Sequence, residues 1–369
     1  MRTDEKGQLG RMEKLKDPIQ TSSKQDKDVN QTDLVSKQKA DLCMFPLGKS
    51  GLSIPALGFG IGTSWYQTKT LTKGRLLSTC IRQALDVGFT HIDEAEMYEN
   101  AKWLNTALSK WYADDREHHT REKLFITGKV MKVDKGVEKV CRNSLKKSGL
   151  EYYDLFLIHA PFKKNAMPFK TPLSEVWAQM EDLVRKGLAK SIGVSNFRIQ
   201  DMEEVLENCS IRPSCNQIEC HPYLQQNELR SYCKKEGILV AAFGSLVPVT
   251  KLKHGPVDRV LKRLSEKTGK TPVQILMRWN LQIGNVVVST TSKLTRMKDY
   301  VDVLNFQLTE GDMEKITEAG KARKEKRTFW SNKNLDKLWA STVKTSVFFM
   351  RKFYLRLPKV LNLKNYPEK

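Results

Sequence analysis

Eight short apolar runs, each followed by a stretch with helical spacing, dominate this chain between Ala56 and Val303. The runs are Ala56–Gly60, Thr90–Asp93, Leu124–Thr127, Leu155–His159, Ser191–Val194, Asn216–Glu219, Leu239–Phe243 and Val286–Ser289. Helical patterns are predicted at Gly74–Val87, Asn100–Tyr112, Asp134–Lys147, Leu173–Arg185, Ile199–Glu207, Asn227–Lys235, Val257–Gln282 and Leu294–Val303. Strands that read as unbroken apolar runs are buried on both faces, which is the habit of parallel sheets. Eight strand–helix units favour closure into a single (β/α)8 TIM barrel over an open doubly wound sheet. The first run ends in GFGIGTSW, with Gly58, Gly60 and Gly62, but no helix opens there, so a dinucleotide fingerprint of the G-x-G-x-x-G kind is not met.

The expected barrel domain spans residues 42–330. Ahead of it, residues 1–41 have no aromatic residue and are rich in Lys, Asp, Gln, Ser and Thr, a composition that predicts a disordered extension. MFPLGKSGLSIP, from Met44, reads as a hairpin with Gly-Lys-Ser-Gly at its turn. Residues 331–369 form a basic C-terminal tail. Of the net charge of +21, the segment 321–369 carries +11, with fourteen Lys/Arg against three Asp/Glu. Basic residues interleaved with Val, Phe, Tyr and Leu suit contact with a membrane surface, but the favoured reading is a tail partly packed on the barrel with its lysines solvated. No recognisable fold supports a nucleic-acid partner.

The seven cysteines include no CxxC pair and sit near no cluster at ligand spacing, so reduced thiols, a cytoplasmic location and no metal site are expected. The N-terminus MRTDEKGQLG has no apolar core of a secretory signal. The longest nearly apolar run, Gly237 to Val249, falls short of the roughly 20 residues that span a bilayer.

Four chemically able side chains fall at or just after successive strand ends: Asp93 and Tyr98 in THIDEAEMY, Lys129 in LFITGK and His159 in LFLIHA. Strand ends of a barrel share one face, where active sites are built. A phenol can deliver a proton to a carbonyl oxygen, and an ammonium beside it favours the phenolate and lowers its pKa. On this reading Lys129 activates Tyr98, Asp93 holds Lys129, and His159 donates to the substrate carbonyl. Taken singly, each residue reads as readily as packing or as a solvated end; four at consecutive strand ends do not.

These stretches, with GLAKSIGVSNF, RPSCNQIECHPYLQQNEL and ILVAAFGSL, resemble the aldo-keto reductase family over roughly residues 44–330. The resemblance implies a (β/α)8 barrel, a monomer, a small-molecule carbonyl substrate and NADPH as hydride donor. It implies Asp93, Tyr98, Lys129 and His159 as the catalytic tetrad, and Ser195, Asn196 and Gln217 around the nicotinamide carboxamide. Phe243 stands where the family stacks a tyrosine on the nicotinamide, and Leu246 lies in the altered run Gly244–Val247 beside the pyrophosphate. Near the last strand, Thr290 replaces the lysine that pairs with the 2′-phosphate; Arg296 remains to contact that phosphate or stack on adenine, Thr291 is among the cofactor-binding residues, and Tyr300 replaces an asparagine facing adenine. The missing lysine predicts that NADH is tolerated. GIGTSWY and the TTSK run are most similar to the fungal α-keto amide reductase branch, which implies 2-keto amides or 2-keto esters as substrates. Trp65, His159, Phe162 and Trp330, with Phe169 and Phe329, are expected to line the substrate mouth. A reading of another class stays open: an NADPH-binding regulatory or scaffold protein whose tail engages a partner.

Overall fold

The computed structural model describes residues 43–163 and 167–329. The N-terminal extension, the tail and Trp330 lie outside the described residues. A hairpin of β1 (Met44–Pro46) and β2 (Ser53–Pro55) precedes eight parallel strands that close on themselves. These are β3 (Leu57–Gly60), β4 (His91–Asp93), β5 (Phe125–Val130), β6 (Tyr153–Ile158), β7 (Ala189–Ser195), β8 (Cys215–Glu219), β9 (Leu239–Phe243) and β10 (Val286–Ser289). They follow one another round the barrel in chain order, and β10 pairs with both β9 and β3.

Period-two alternation sorts each strand into an inner and an outer set. Phe125, Leu155, Leu157, Cys215, Ala241 and Val286 form one buried cluster with Leu47 and Ile54 of the hairpin, which plugs the end of the barrel where the strands begin. The outer set, including Ile92, Ile126, Phe156, Ile158, Ile192 and Ile218, joins the helices in a larger second cluster. Continuing the inner set toward the strand ends gives Asp93, Lys129, Gln217 and Phe243. The same rule that buries the plug therefore gathers the polar groups at the opposite mouth.

The helices at Leu71–Asp86, Ala101–Asp114, Val137–Ser148, Leu173–Arg185, Ile199–Leu206, Asn227–Glu236 and Leu294–Asp302 fall where the spacing predicts them. The single long helix expected over Val257–Gln282 is corrected to two, Pro256–Thr268 and Pro272–Gln282. Gly269 ends the first in the left-handed region at φ +68°. Thr271 opens the second by accepting from Gln274 N, with Pro272 in the first turn. A further helix, Glu310–Lys321, was not evident in the sequence and packs against Pro256–Thr268. No helix among the described residues is long and apolar enough to cross a membrane.

Candidate active site

Past each strand end one more main-chain bond continues the ladder and fixes the loop that carries the chemistry. Ile61 N donates to Asp93 O, Glu94 N to Thr127 O, His159 N to Val130 O, and Asn196 N to Gln217 O, all at 2.9 Å. The four residues of the expected tetrad are brought together there. Lys129 is buried on β5, and its ammonium donates to Asp93 Oδ1 and, at 3.1 Å, to the main-chain oxygen of Glu94. Gln217 Nε2 donates to the other Asp93 oxygen at 2.7 Å. Both oxygens of this buried carboxylate are thus engaged, as an ion taken out of water requires.

Tyr98 closes the short 3-10 turn Glu96–Tyr98, and its ring lies 5.4 Å from Lys129 Nζ. The His159 ring stands edge-on to it, at 5.7 Å between centroids and 81° between planes. Tyr66, a residue the sequence did not single out, flanks the other side at 6.4 Å. The phenol rests over Gly62: a Cβ there would come within 2.6 Å of Tyr98 Cζ.

The electrostatics correct one expectation. Lys129 was expected to pull the Tyr98 phenol down; burial, then Asp93, Glu94 and Tyr66, hold it well above its ordinary value. The reason is pairing: Asp93 neutralises the ammonium, so the positive charge is not left to the phenol alone. His159 moves the other way. Burial, with Lys129 adding to it, holds the imidazole well below its usual value. Both groups therefore stand neutral near pH 7, the phenol with a proton to give.

Beside the tetrad, Asn196 takes a left-handed backbone at φ +59° and donates from Nδ2 to His159 O at 2.9 Å and to Ser195 Oγ at 3.0 Å. Ser195 Oγ in turn donates to Gln217 O at 2.8 Å. Asn196 Oδ1 is buried without a hydrogen-bond partner, as is Ser245 Oγ beyond β9. A buried acceptor left unmet is costly, and an incoming amide N–H would satisfy Asn196. The residues present therefore fit a nicotinamide carboxamide, and Ser245 fits a polar group further along. Phe243 ends β9 half-buried, Leu246 caps the short helix Val247–Thr250, and Thr291 Oγ1 accepts from Lys293 N at 3.2 Å. Arg296 is exposed, and Tyr300 is 3% exposed, turned toward Ser289 and Thr291.

The expected substrate-mouth residues separate. Trp65 is 4% exposed, in the 3-10 turn Thr63–Trp65 after β3, and its indole donates to Thr290 Oγ1 at 3.2 Å. Phe162 and Phe169 are likewise buried. Phe329 does reach the mouth, edge-on to Phe243 at 5.6 Å with Lys251 Nζ 3.5 Å over its ring. Glu219, fully buried on β8, holds that segment by accepting from Thr328 N at 2.9 Å and Phe329 N at 3.0 Å.

The aldo/keto reductase family model matches residues 56–321. The chain belongs to the aldo/keto reductase family. It is 37% identical over 284 residues to the NAD/NADP-dependent indole-3-acetaldehyde reductase of Schizosaccharomyces pombe, a match covering 76% of this chain and 96% of that protein. It is 33% identical to the NADPH-dependent alpha-keto amide reductase of Saccharomyces cerevisiae, over 76% of this chain and 92% of that one. Among solved structures, a Bombyx mori aldo-keto reductase in complex with NADP superposes with a TM-score of 0.68 at 30% identity, covering 75% of this chain and 92% of the other.

Proposed function

We propose that this aldo-keto reductase, with its reductase unit in residues 42–330, is an NADPH-dependent reductase of aldehydes and activated ketones, 2-keto amides and 2-keto esters among them. The carrying observation is the neutral Tyr98 phenol edge-on to a neutral His159, with the Lys129–Asp93 pair beneath. The cofactor, when bound, supplies the hydride. Asn196, with Ser195 and Gln217 bracing it, would take the carboxamide, and Phe243 offers a ring face for stacking. His159 donates to the carbonyl oxygen and fixes its angle. Tyr98 passes its proton to that oxygen as negative charge develops, and Lys129 stabilises the phenolate until solvent returns the proton. Turnover of NADPH against a 2-keto amide, a 2-keto ester, an aromatic aldehyde and a simple sugar tests the reading. Cofactor binding without turnover on any of them would sink it.

Two predictions attach to the site. Gly62→Ala pushes a methyl group against the Tyr98 ring. Turnover should fall about tenfold or more for a displacement of this kind, with NADPH affinity and the thermal midpoint little changed. Normal turnover in that variant would mean that the phenol need not sit over Gly62.

The second concerns cofactor choice. Thr290 offers no charge and is already engaged with Trp65. Arg296 alone leaves a weak preference for the 2′-phosphate, in keeping with the fission-yeast relative's use of NAD and NADP. Thr290→Lys should raise the ratio of NADH to NADPH dissociation constants by about tenfold, the scale of one charge-assisted hydrogen bond. Fluorescence titration of both cofactors measures it, and an unchanged ratio would remove Thr290 from the phosphate site.

A further inference from the structure

Glu94 takes no part in the chemistry above. It follows Asp93 at the end of β4 and is buried, 1% exposed. The Tyr153 hydroxyl, itself fully buried, donates to Glu94 Oε1. Gly128 leaves the room for that ring, since a Cβ there would lie 2.7 Å from Tyr153 Cε1 and 2.9 Å from Phe156 Cδ2. The main chain of the same residue touches the tetrad directly: Glu94 O accepts from Lys129 Nζ at 3.1 Å. A second buried acid therefore stands next to Asp93 and shares its only close ammonium among the described residues.

We propose that Glu94, held by Tyr153, is a positioning residue that tunes the Tyr98 proton donor through Lys129. The proposal rests on the reductase reading. The groups facing Glu94 are Asp93 on its own strand, Lys129 on β5, Tyr153 on β6, Tyr98 in the following turn and Cys141 of helix Val137–Ser148. With Glu94 neutral, one ammonium faces one carboxylate and the pair is balanced. With Glu94 ionised, two carboxylates face that ammonium, and the added negative charge opposes the phenolate that forms when Tyr98 gives up its proton. Burial pushes the Glu94 carboxyl up to about 7, against the opposing pull of the Tyr153 hydrogen bond and Lys129. The acid is neutral below that pH and ionised above it, so reduction should slow as pH rises through it. A shift of one pKa unit in Tyr98, half expressed in the transition state, gives a step of about threefold.

The experiment is the pH profile of kcat for NADPH-dependent carbonyl reduction by wild type, Glu94→Gln and Tyr153→Phe. The step should vanish in Glu94→Gln, which keeps the low-pH rate throughout. In Tyr153→Phe, where a bond favouring the carboxylate is lost, the step should move to higher pH. A step unchanged in Glu94→Gln overturns the proposal, and so does one unmoved in Tyr153→Phe if the first variant does not fold. An infrared titration without substrate separates the two possible failures. A carboxylic-acid band that titrates near neutral pH and disappears in Glu94→Gln, in a protein with no turnover, overturns the reductase reading. Absence of that band from the wild type overturns the assignment of Glu94.

Discussion

Tyr98→Phe should lower turnover of carbonyl reduction by about 10²–10⁴-fold, the contribution of a positioned general acid. The substitution removes one oxygen and keeps the ring, so the edge-on contact with His159 and the packing over Gly62 survive. NADPH affinity should stay within about twofold, because the hydroxyl is not among the groups that would hold the carboxamide. Since the phenol is held well above its ordinary value, it keeps its proton throughout the neutral range. Any fall of wild-type activity with rising pH below about 9 must then come from another group, and His159, held neutral, does not supply it. Stopped-flow measurement of the hydride step with saturating cofactor gives the decisive number. A loss of less than about tenfold would show that water or His159 delivers the proton.

The second large effect is on stability as well as rate. Lys129→Met removes an ammonium that is 0% exposed and leaves Asp93, 4% exposed, without its cation. Breaking a buried pair from one side costs about 3–5 kcal/mol, because the remaining charge keeps its desolvation penalty. Gln217 still donates to Asp93, which places the expected loss toward the lower end of that range. The double variant Asp93→Leu/Lys129→Met should recover most of the loss, since an apolar pair of similar volume owes no desolvation. Neither variant should recover activity. Urea unfolding of the three proteins measures the effect. Equal stability of wild type and Lys129→Met would mean that the pair is solvated rather than buried; regained turnover in the double variant would remove the pair from the chemistry.

The barrel and the tetrad were legible because both rest on local pattern. An apolar run of four to six residues marks a strand, and residues at or just after its end reach the mouth, so Asp93, Lys129 and His159 could be placed by position alone. The break between the helices at Pro256–Thr268 and Pro272–Gln282 was also written locally, in Gly269, Thr271 and Pro272, but apolar periodicity ran through it and concealed it. The aromatic residues expected at the mouth are a different case. Trp65 and Phe162 sit on loops near the mouth in sequence, yet whether such a ring faces substrate or fills the space beneath a loop depends on what packs around it.

The sequence by itself determined the fold class, the strand ends and the placing of Asp93, Tyr98, Lys129 and His159 at them, because hydrophobic periodicity and residue chemistry are properties of short segments. Tertiary structure alone decided their charge states and their company. The Lys129 ammonium is shared with Asp93 and the Glu94 carbonyl, so in the resting site burial outweighs its pull on the phenol, and no spacing along the chain announces that pairing. Glu94 meets Tyr153 across 59 positions, in a space that exists because Gly128 has no side chain. Electrostatic tuning depends on distance and burial in three dimensions, and both are set only when β4, β5 and β6 come to lie side by side.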